Sequence, residues 1–408
     1  MHALIVGNGI AGVTAARHVR KARPEARITL VSDEGRVPYA RTALMYVHMG
    51  VLSWAQTALY EERFWDANRI DRVVDRALGV DPAARTVTLA EAGPVGYDAL
   101  LVATGSTPVV PDWPGVGLAG VHTLYGRADV PALDATAPRR AAVVGGGLIG
   151  VELAEMLRVR GCAVAFLVRE PSYLPRVLST VESALVAAEI RHHGVDLRFG
   201  AEVAEVEGTD RVTGVVTASG ERIPAEAVGV GTGVRPNTAW LDGSGVETDR
   251  GVLVDPALAT SAPGVWAAGD CAQLRTPPPS EPPTRPIWYT ARLQGATAGL
   301  GMAGQPTSYA PGVFYNSAKF FDLEYQVYGD ATPNDSDRTW TDGHRSVRFC
   351  TDDGRLVGIS ALGVRLRAAV ARGWLAEGLS MDAIEGRLAD LPFDPEFTRR
   401  PFRGGTWQ

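Results

Sequence analysis

The chain has 408 residues, 46% of them hydrophobic and 21% charged, with a formal net charge of −6. That is length enough for two or three domains of ordinary size, and the acidic balance argues against a general nucleic-acid-binding surface. No apolar run reaches the roughly 18 residues of a membrane span, and the cysteines at 162, 271 and 350 form neither a CxxC pair nor a zinc-like cluster. The scattered histidines suggest no metal site. A strand beginning at Ala3 leaves no room for a signal peptide, so a cytoplasmic protein without structural disulfides is expected.

The first apolar run, Ala3-Leu4-Ile5-Val6, reads as a strand that turns at Gly7-Asn8-Gly9-Ile10-Ala11-Gly12 into a helix over about 10–22. In such a unit the first glycine makes the turn and the second lets the backbone approach a pyrophosphate. The third brings helix onto strand, and the helix N-terminus faces the anion. The next strand, 28–31, ends at Ser32-Asp33-Glu34, and Glu34 lies 22 residues after Gly12. That spacing suits a carboxylate accepting hydrogen bonds from a ribose. A further strand, Tyr97–Gly105, closes on a small-residue turn, and Pro108, Pro111 and Pro114 mark a connector.

The plan then repeats: strand 141–144, turn Gly145-Gly146-Gly147-Leu148-Ile149-Gly150, helix about 148–160 and strand 163–168. This second unit ends in Arg169, with Glu170 next and Arg176 seven residues on. A guanidinium pairs with a phosphate dianion in bidentate fashion, which suits the 2′-phosphate of NADPH, the nucleotide expected here; the alternative is that Glu170 holds the ribose of NADH. Two such turns in strand–turn–helix context imply two dinucleotides and electron transfer between them.

Residues 195–230 read as hairpin strands, Gly231–Asn237 as a glycine-rich strand end, and Gly264–Asp270 as a strand ending in an acid. The segment 276–286 is a proline-rich loop, ordered or semi-rigid, ahead of a helix over 288–303. Aromatics then cluster at Phe314, Tyr315, Phe320, Phe321, Tyr325 and Tyr328, opening a C-terminal domain. The amphipathic stretch 364–390 carries several acids and reads as a packed helix, not a membrane anchor. The basic residues are almost all arginine, with lysine only at 21 and 319.

Taken in order, GNGIAG at 7–12, ATG at 103–105, GGGLIGVELA at 145–154, GTGVRPN at 231–237 and AAGDCA at 267–272 resemble the FAD-dependent pyridine-nucleotide reductases of the glutathione reductase fold. The stretch from Asp33 to Leu44, with Arg285-Pro286-Ile287-Trp288, Gln294 and Phe314–Ser317, is similar to the ferredoxin and rubredoxin reductase and apoptosis-inducing-factor branch.

The resemblance implies an α/β fold of two Rossmann-like domains plus a C-terminal α+β domain: FAD on 1–110 and 245–308, NAD(P)H on 111–244, and 309–408 as the third. It implies that Gly7, Gly9, Ile10, Ala11 and Gly12 hold the FAD pyrophosphate and that Glu34 holds the adenosine ribose. Arg41, Thr104, Gly105 and Trp288 would lie along the cofactor, and Gly269 and Asp270 at its ribityl–phosphate region. Gly145, Gly147, Leu148, Ile149, Gly150 and Gly233 would hold the nicotinamide dinucleotide, with Glu152 near the nicotinamide and the flavin ring.

Thr42 stands where the single-cysteine relatives carry their redox thiol, and a hydroxyl cannot replace a thiolate. The branch often has a lysine near the flavin where this chain has Tyr46, so Lys319 is a second candidate for a cation there. An NAD(P)H-dependent FAD reductase is expected, passing electrons to an external ferredoxin- or rubredoxin-like carrier protein. Reduction of a small molecule, quinone or oxygen, with the aromatic cluster as a pocket wall, is an alternative. A redox-sensing flavoprotein controlled by NAD(P)H is another. The protein would be a monomer or homodimer, and Arg365, Arg367, Arg372, Arg399, Arg400 and Arg403 could offer a docking face for an acidic carrier.

Overall fold

The computed structural model describes residues 1–278, 282–393 and 406–407. Arg399, Arg400 and Arg403, and part of the proline-rich loop, lie outside the described residues. The chain divides into two compact units. Unit 1 comprises Met1–Val109, Tyr125–Arg127 and Val234–Pro311; unit 2 comprises Val110–Leu124, Ala128–Gly233 and the described residues from Gly312 onward.

In unit 1, β1 (His2–Val6) runs into α1 (Ile10–Ala22) and β2 (Arg27–Ser32), followed by β3 (Ile70–Val74) and β4 (Ala99–Val102). These strands and Val265–Ala267 form a parallel sheet in the order Val265–Ala267, β4, β1, β2, β3. Continuous apolar runs suit parallel strands covered on both faces, and Leu4, Ile5, Leu100 and Leu101 are fully buried. Behind the sheet, α1 packs on the helix Trp288–Met302. A Cβ on Gly295 would stand 2.3 Å from the Ala11 carbonyl oxygen, and one on Gly299 2.6 Å from that of Ala15. Only glycine admits that approach, which fixes α1 and the turn that opens it.

Unit 2 repeats the design with β5 (Arg140–Val144), α2 (Leu148–Val159), β6 (Ala163–Val168), α3 (Thr180–His192), β7 (Asp196–Phe199) and β8 (Ala227–Val230). The sheet order is β7, β6, β5, β8 and the short strand Val121–His122, all parallel. The expectation of hairpins throughout 195–230 needs correction here. Antiparallel pairing joins only the three strands between Val203 and Pro224. The apolar run Ala227–Val230 is buried at every residue, as a central parallel strand requires.

The remainder of unit 2 is an antiparallel sheet of β9 (Tyr315–Phe320), β10 (Leu323–Gly329), β11 (Arg338–Thr341), β12 (Ser346–Asp352) and β13 (Arg355–Leu362). Its order is β9, β10, β13, β12, β11 and then Thr406–Trp407. Helix α4 (Ala368–Glu377) and Met381–Glu385 pack on it through Trp374 and Ile384, around a core that includes Tyr328, Trp340 and Phe349. Thus the 364–390 stretch is a packed helical segment. Phe320, Phe321, Tyr325 and Tyr328 are buried, so these four aromatics fill the interior instead of walling an open pocket. No helix among the described residues is long and apolar enough to cross a membrane.

Candidate functional site

The first glycine turn has the geometry of a phosphate cradle. Gly7 holds φ +111°, and a Cβ there would stand 2.0 Å from the Ala103 carbonyl oxygen, whereas around Gly9 there is open space. A Cβ on Gly12 would meet the Gly7 carbonyl oxygen at 2.0 Å. Gly9 is the N-cap of α1 and no side chain caps the helix, so its first N–H groups face that space, as an anion requires.

At the end of β2, Glu34 accepts from Tyr39 Oη at 2.6 Å and from Arg41 Nη2 at 2.5 Å. A carboxylate has about four acceptor positions, so capacity remains for ribose hydroxyls. Burial opposes the charge on Arg41, but Tyr125, Tyr39 and Glu34 outweigh it and raise its pKa. Thr104 Oγ1 donates to the Asn237 carbonyl at 2.7 Å, and Gly105 holds φ +68°. Gly269 N–H donates to Gln294 Oε1 at 2.8 Å, fixing the turn that carries Asp270. Burial pushes the Asp270 carboxyl up, and the hydroxyl of Ser106, donating to Oδ2 at 2.8 Å, works against that. Trp288 begins its helix, with Arg292 5.8 Å over its ring. These residues fit a dinucleotide such as FAD: an uncapped helix end for the pyrophosphate, a carboxylate for the ribose and a row of fixed polar groups between them.

The second turn copies the first. Gly145 also holds φ +111°, with the Gly231 carbonyl oxygen 2.3 Å from a Cβ, and a Cβ on Gly150 would meet the Gly145 carbonyl oxygen at 1.9 Å. Gly147 is the N-cap of α2, again without a side-chain cap, and Leu148, Ile149 and Gly150 form the first turn. Gly233 holds φ +112° with nothing near its Cβ position. The strand end differs: Arg169 is 71% exposed and pairs with Glu170 at 3.5 Å, while Arg176 is exposed. The turn and its open helix end fit a second dinucleotide.

One turn along α2, Glu152 and Glu155 share a face of the helix. Lys319, on β9, forms an ion pair with Glu155. Burial, then the like charge of Glu155, pushes the Glu152 carboxyl up to about 7, against the pull of Lys319. Burial also raises Glu155, with Lys319 opposing. Lys319 thus reaches α2 through Glu155. Tyr46 lies on the short helix Leu44–His48 of unit 1, and Thr42 is exposed.

The three thiols are buried. Burial raises all three pKa values, those of Cys162 and Cys271 to about 11. Cys271 is the small buried residue expected, its thiol 3.4 Å from the Val102 and Ala268 carbonyls. A thiolate, the reactive form, is therefore disfavoured at each position.

Sequence reasoning missed several groups. Tyr173 is fully buried against Phe166 and Phe320 and donates to the Gly147 carbonyl at 3.3 Å, bracing the second turn from below. Arg348 and Glu182, both fully buried, pair at 2.8 Å; Asp337 accepts from Arg348 at 2.6 Å and Ser360 donates to Glu182 at 2.6 Å. The Ser179-x-x-Glu182 capping box was a legible signal for one end of that network. His193, at the C-cap of α3, stacks its ring on Phe321, 4.6 Å away, and pairs with Glu189 and Asp322. Arg365 is ion-paired with Glu324.

A family model described as pyridine nucleotide-disulphide oxidoreductase matches residues 1–295. The chain is 34% identical over 332 residues to the biphenyl dioxygenase system ferredoxin–NAD(+) reductase component of Paraburkholderia xenovorans, covering 80% of each. It is 34% identical over 340 residues to the 5,5'-dehydrodivanillate O-demethylase ferredoxin reductase subunit of a Sphingobium species, covering 81% of this chain and 82% of that one. Among solved structures, a ferredoxin reductase from Rhodopseudomonas palustris matches with a TM-score of 0.83 at 27% identity, over 97% of this chain and 96% of that one.

Proposed function

The chain belongs to the pyridine nucleotide-disulphide oxidoreductase family, and from that premise we propose that it is the NADH-dependent FAD reductase of a small electron-carrier protein of the ferredoxin or rubredoxin kind. The observation that carries this reading is the pairing of two uncapped glycine-turn helices in one chain with Thr42 at the thiol position and three buried, thiolate-disfavouring cysteines. With no relay thiol, electrons that enter from the nicotinamide leave to an acceptor outside the chain.

The first turn, Glu34, Arg41 and Asp270 would hold FAD, which would supply the conversion of a two-electron hydride into single electrons. The protein's part is binding and orientation. The α1 N-terminus offsets the pyrophosphate charge, and Glu34 fixes the ribose. The α2 N-terminus receives the nicotinamide dinucleotide. Glu152, poised near neutrality, is the titrating group we assign to the nicotinamide side, and Tyr46 a candidate at the flavin.

Of the two pyridine nucleotides we assign NADH. A 2′-phosphate on Arg169 would lie beside the Glu170 carboxylate, already paired with that guanidinium, and the similar protein of the biphenyl dioxygenase system is a ferredoxin–NAD(+) reductase component. We place the protein in the cytoplasm, and treat residues 309–408 as a third domain because its sheet encloses a core of its own.

Anaerobic stopped-flow tests the reading. NADH should bleach the bound flavin far faster than NADPH, and a [2Fe–2S] ferredoxin should restore the colour within the turnover time. Restoration only by quinone or oxygen would favour a small-molecule acceptor. A long-lived charge-transfer band with a changed oligomeric state would favour a redox sensor.

A further inference from the structure

Three residues, Tyr125–Arg127, belong to unit 1 although the chain on either side, Val110–Leu124 and Ala128–Gly233, belongs to unit 2. This short tongue touches the groups assigned to the cofactor on two sides. On one, the Tyr125 ring lies 4.4 Å from the Arg41 guanidinium, and the Tyr125 carbonyl accepts from Arg41 Nη1 at 2.9 Å. On the other, Tyr125 Oη accepts from the Ser106 N–H at 2.8 Å and lies 3.2 Å from Ser106 Oγ, which donates to Asp270.

The neighbouring residues close the same frame. A Cβ on Gly126 would stand 3.8 Å from Glu34 Oε1 and 4.0 Å from Arg41 Nη1. Arg127 lies 4.7 Å over the Trp54 ring, itself edge-on to Tyr39 at 6.4 Å, and Tyr39 donates to Glu34. Glu34, Arg41, Tyr125, Ser106 and Asp270 therefore form one connected string. A guanidinium on a flexible stem has several rotamers to lose on meeting an anion. Held by a carboxylate, a carbonyl and a ring face, it has lost them beforehand.

We propose that Tyr125 is a cofactor-positioning residue: it presets Arg41 and ties it, through Ser106, to Asp270, so that the site is organised before FAD arrives. The proposal rests on the FAD reading of unit 1. Tyr125 acts through Arg41, and that gives it a signature no merely structural tyrosine would have.

The test is a double-mutant cycle on FAD affinity, read from free-flavin fluorescence as the holoprotein is diluted. Tyr125→Leu removes the ring–guanidinium contact and the hydroxyl's hydrogen bonds with Ser106, and should weaken FAD binding about tenfold. Tyr125→Phe keeps the ring and should cost about threefold. In an Arg41→Met background, Tyr125→Leu should lose most of its effect, because coupled groups are non-additive. An unchanged affinity in Tyr125→Leu and Tyr125→Phe, or an undiminished Tyr125→Leu effect beside Arg41→Met, overturns the proposal. Should Tyr125→Leu not fold, the same cycle with Tyr125→Phe decides it on the smaller effect. A wild-type protein that purifies without FAD and takes none up overturns the FAD reading itself, which is a separate result.

Discussion

The two glycine turns are nearly superimposable in their constraints and differ in what surrounds them. Gly7 and Gly145 share φ +111°, each pressed against a neighbouring carbonyl, and Gly9 and Gly147 both leave a helix end uncapped. The strand ends do not match. Glu34 is gripped by Tyr39 and Arg41, whereas Arg169 and Glu170 form an exposed, loose pair. A phosphate cradle is thus a backbone device that can be copied whole. The side chains at the next strand end are not copied with it: braced by Tyr39 and Arg41 in the first unit, exposed in the second.

The largest way to break that comparison is at the turns. Gly7→Ala puts a side chain 2.0 Å from a backbone oxygen and should yield protein that does not retain FAD through gel filtration. Gly145→Ala should keep the flavin spectrum but weaken NADH binding at least a hundredfold, about 3 kcal/mol. If both variants lose FAD equally, the assignment of one dinucleotide to each turn fails.

Next in size is the scaffold of unit 2. Arg348→Met leaves Glu182 buried and uncompensated, which costs about 3–5 kcal/mol; denaturant melts should show it, with the FAD spectrum of the native protein unchanged. At the second strand end, Glu170→Ala should raise the KM for NADH about tenfold, while Arg169→Ala changes it little. The reverse ranking would return the site to NADPH.

The smallest effect is the pH dependence of Glu152. Its carboxyl is raised in the folded protein to about 7 from an ordinary 4.5, so the native state binds the extra proton. Wild-type stability therefore falls as pH rises from about 4.5 through 7 and levels above. Glu152→Gln should remove that slope, leaving it the more stable protein at pH 8 relative to its deficit or parity at pH 4. The rate of flavin reduction by NADH should also lose any inflection near 7. Identical pH profiles for the two proteins would remove Glu152 from the site.

Much of this architecture was legible in the sequence because backbone devices leave local marks. A tight turn at positive φ and a helix on a strand both demand glycine at set spacings, and Glu34 sits at a fixed distance from them. What was not legible depends on contacts between distant residues. Lys319 meets Glu155, Arg348 meets Glu182 and Tyr125 meets Arg41 across separations that no periodicity records. A buried ion pair looks, in one dimension, like two surface charges. Likewise the hairpin reading of 195–230 failed where a short apolar run can serve either kind of strand.

The central claim is that two electrons enter on a nicotinamide and leave without a protein thiol, and an anaerobic titration with NADH tests it most directly. A single equivalent of NADH per FAD should complete the bleaching, with no further uptake before ferredoxin is added. Uptake of a second equivalent, accompanied by a newly alkylatable thiol, would show a redox cysteine in series with the flavin and contradict the account.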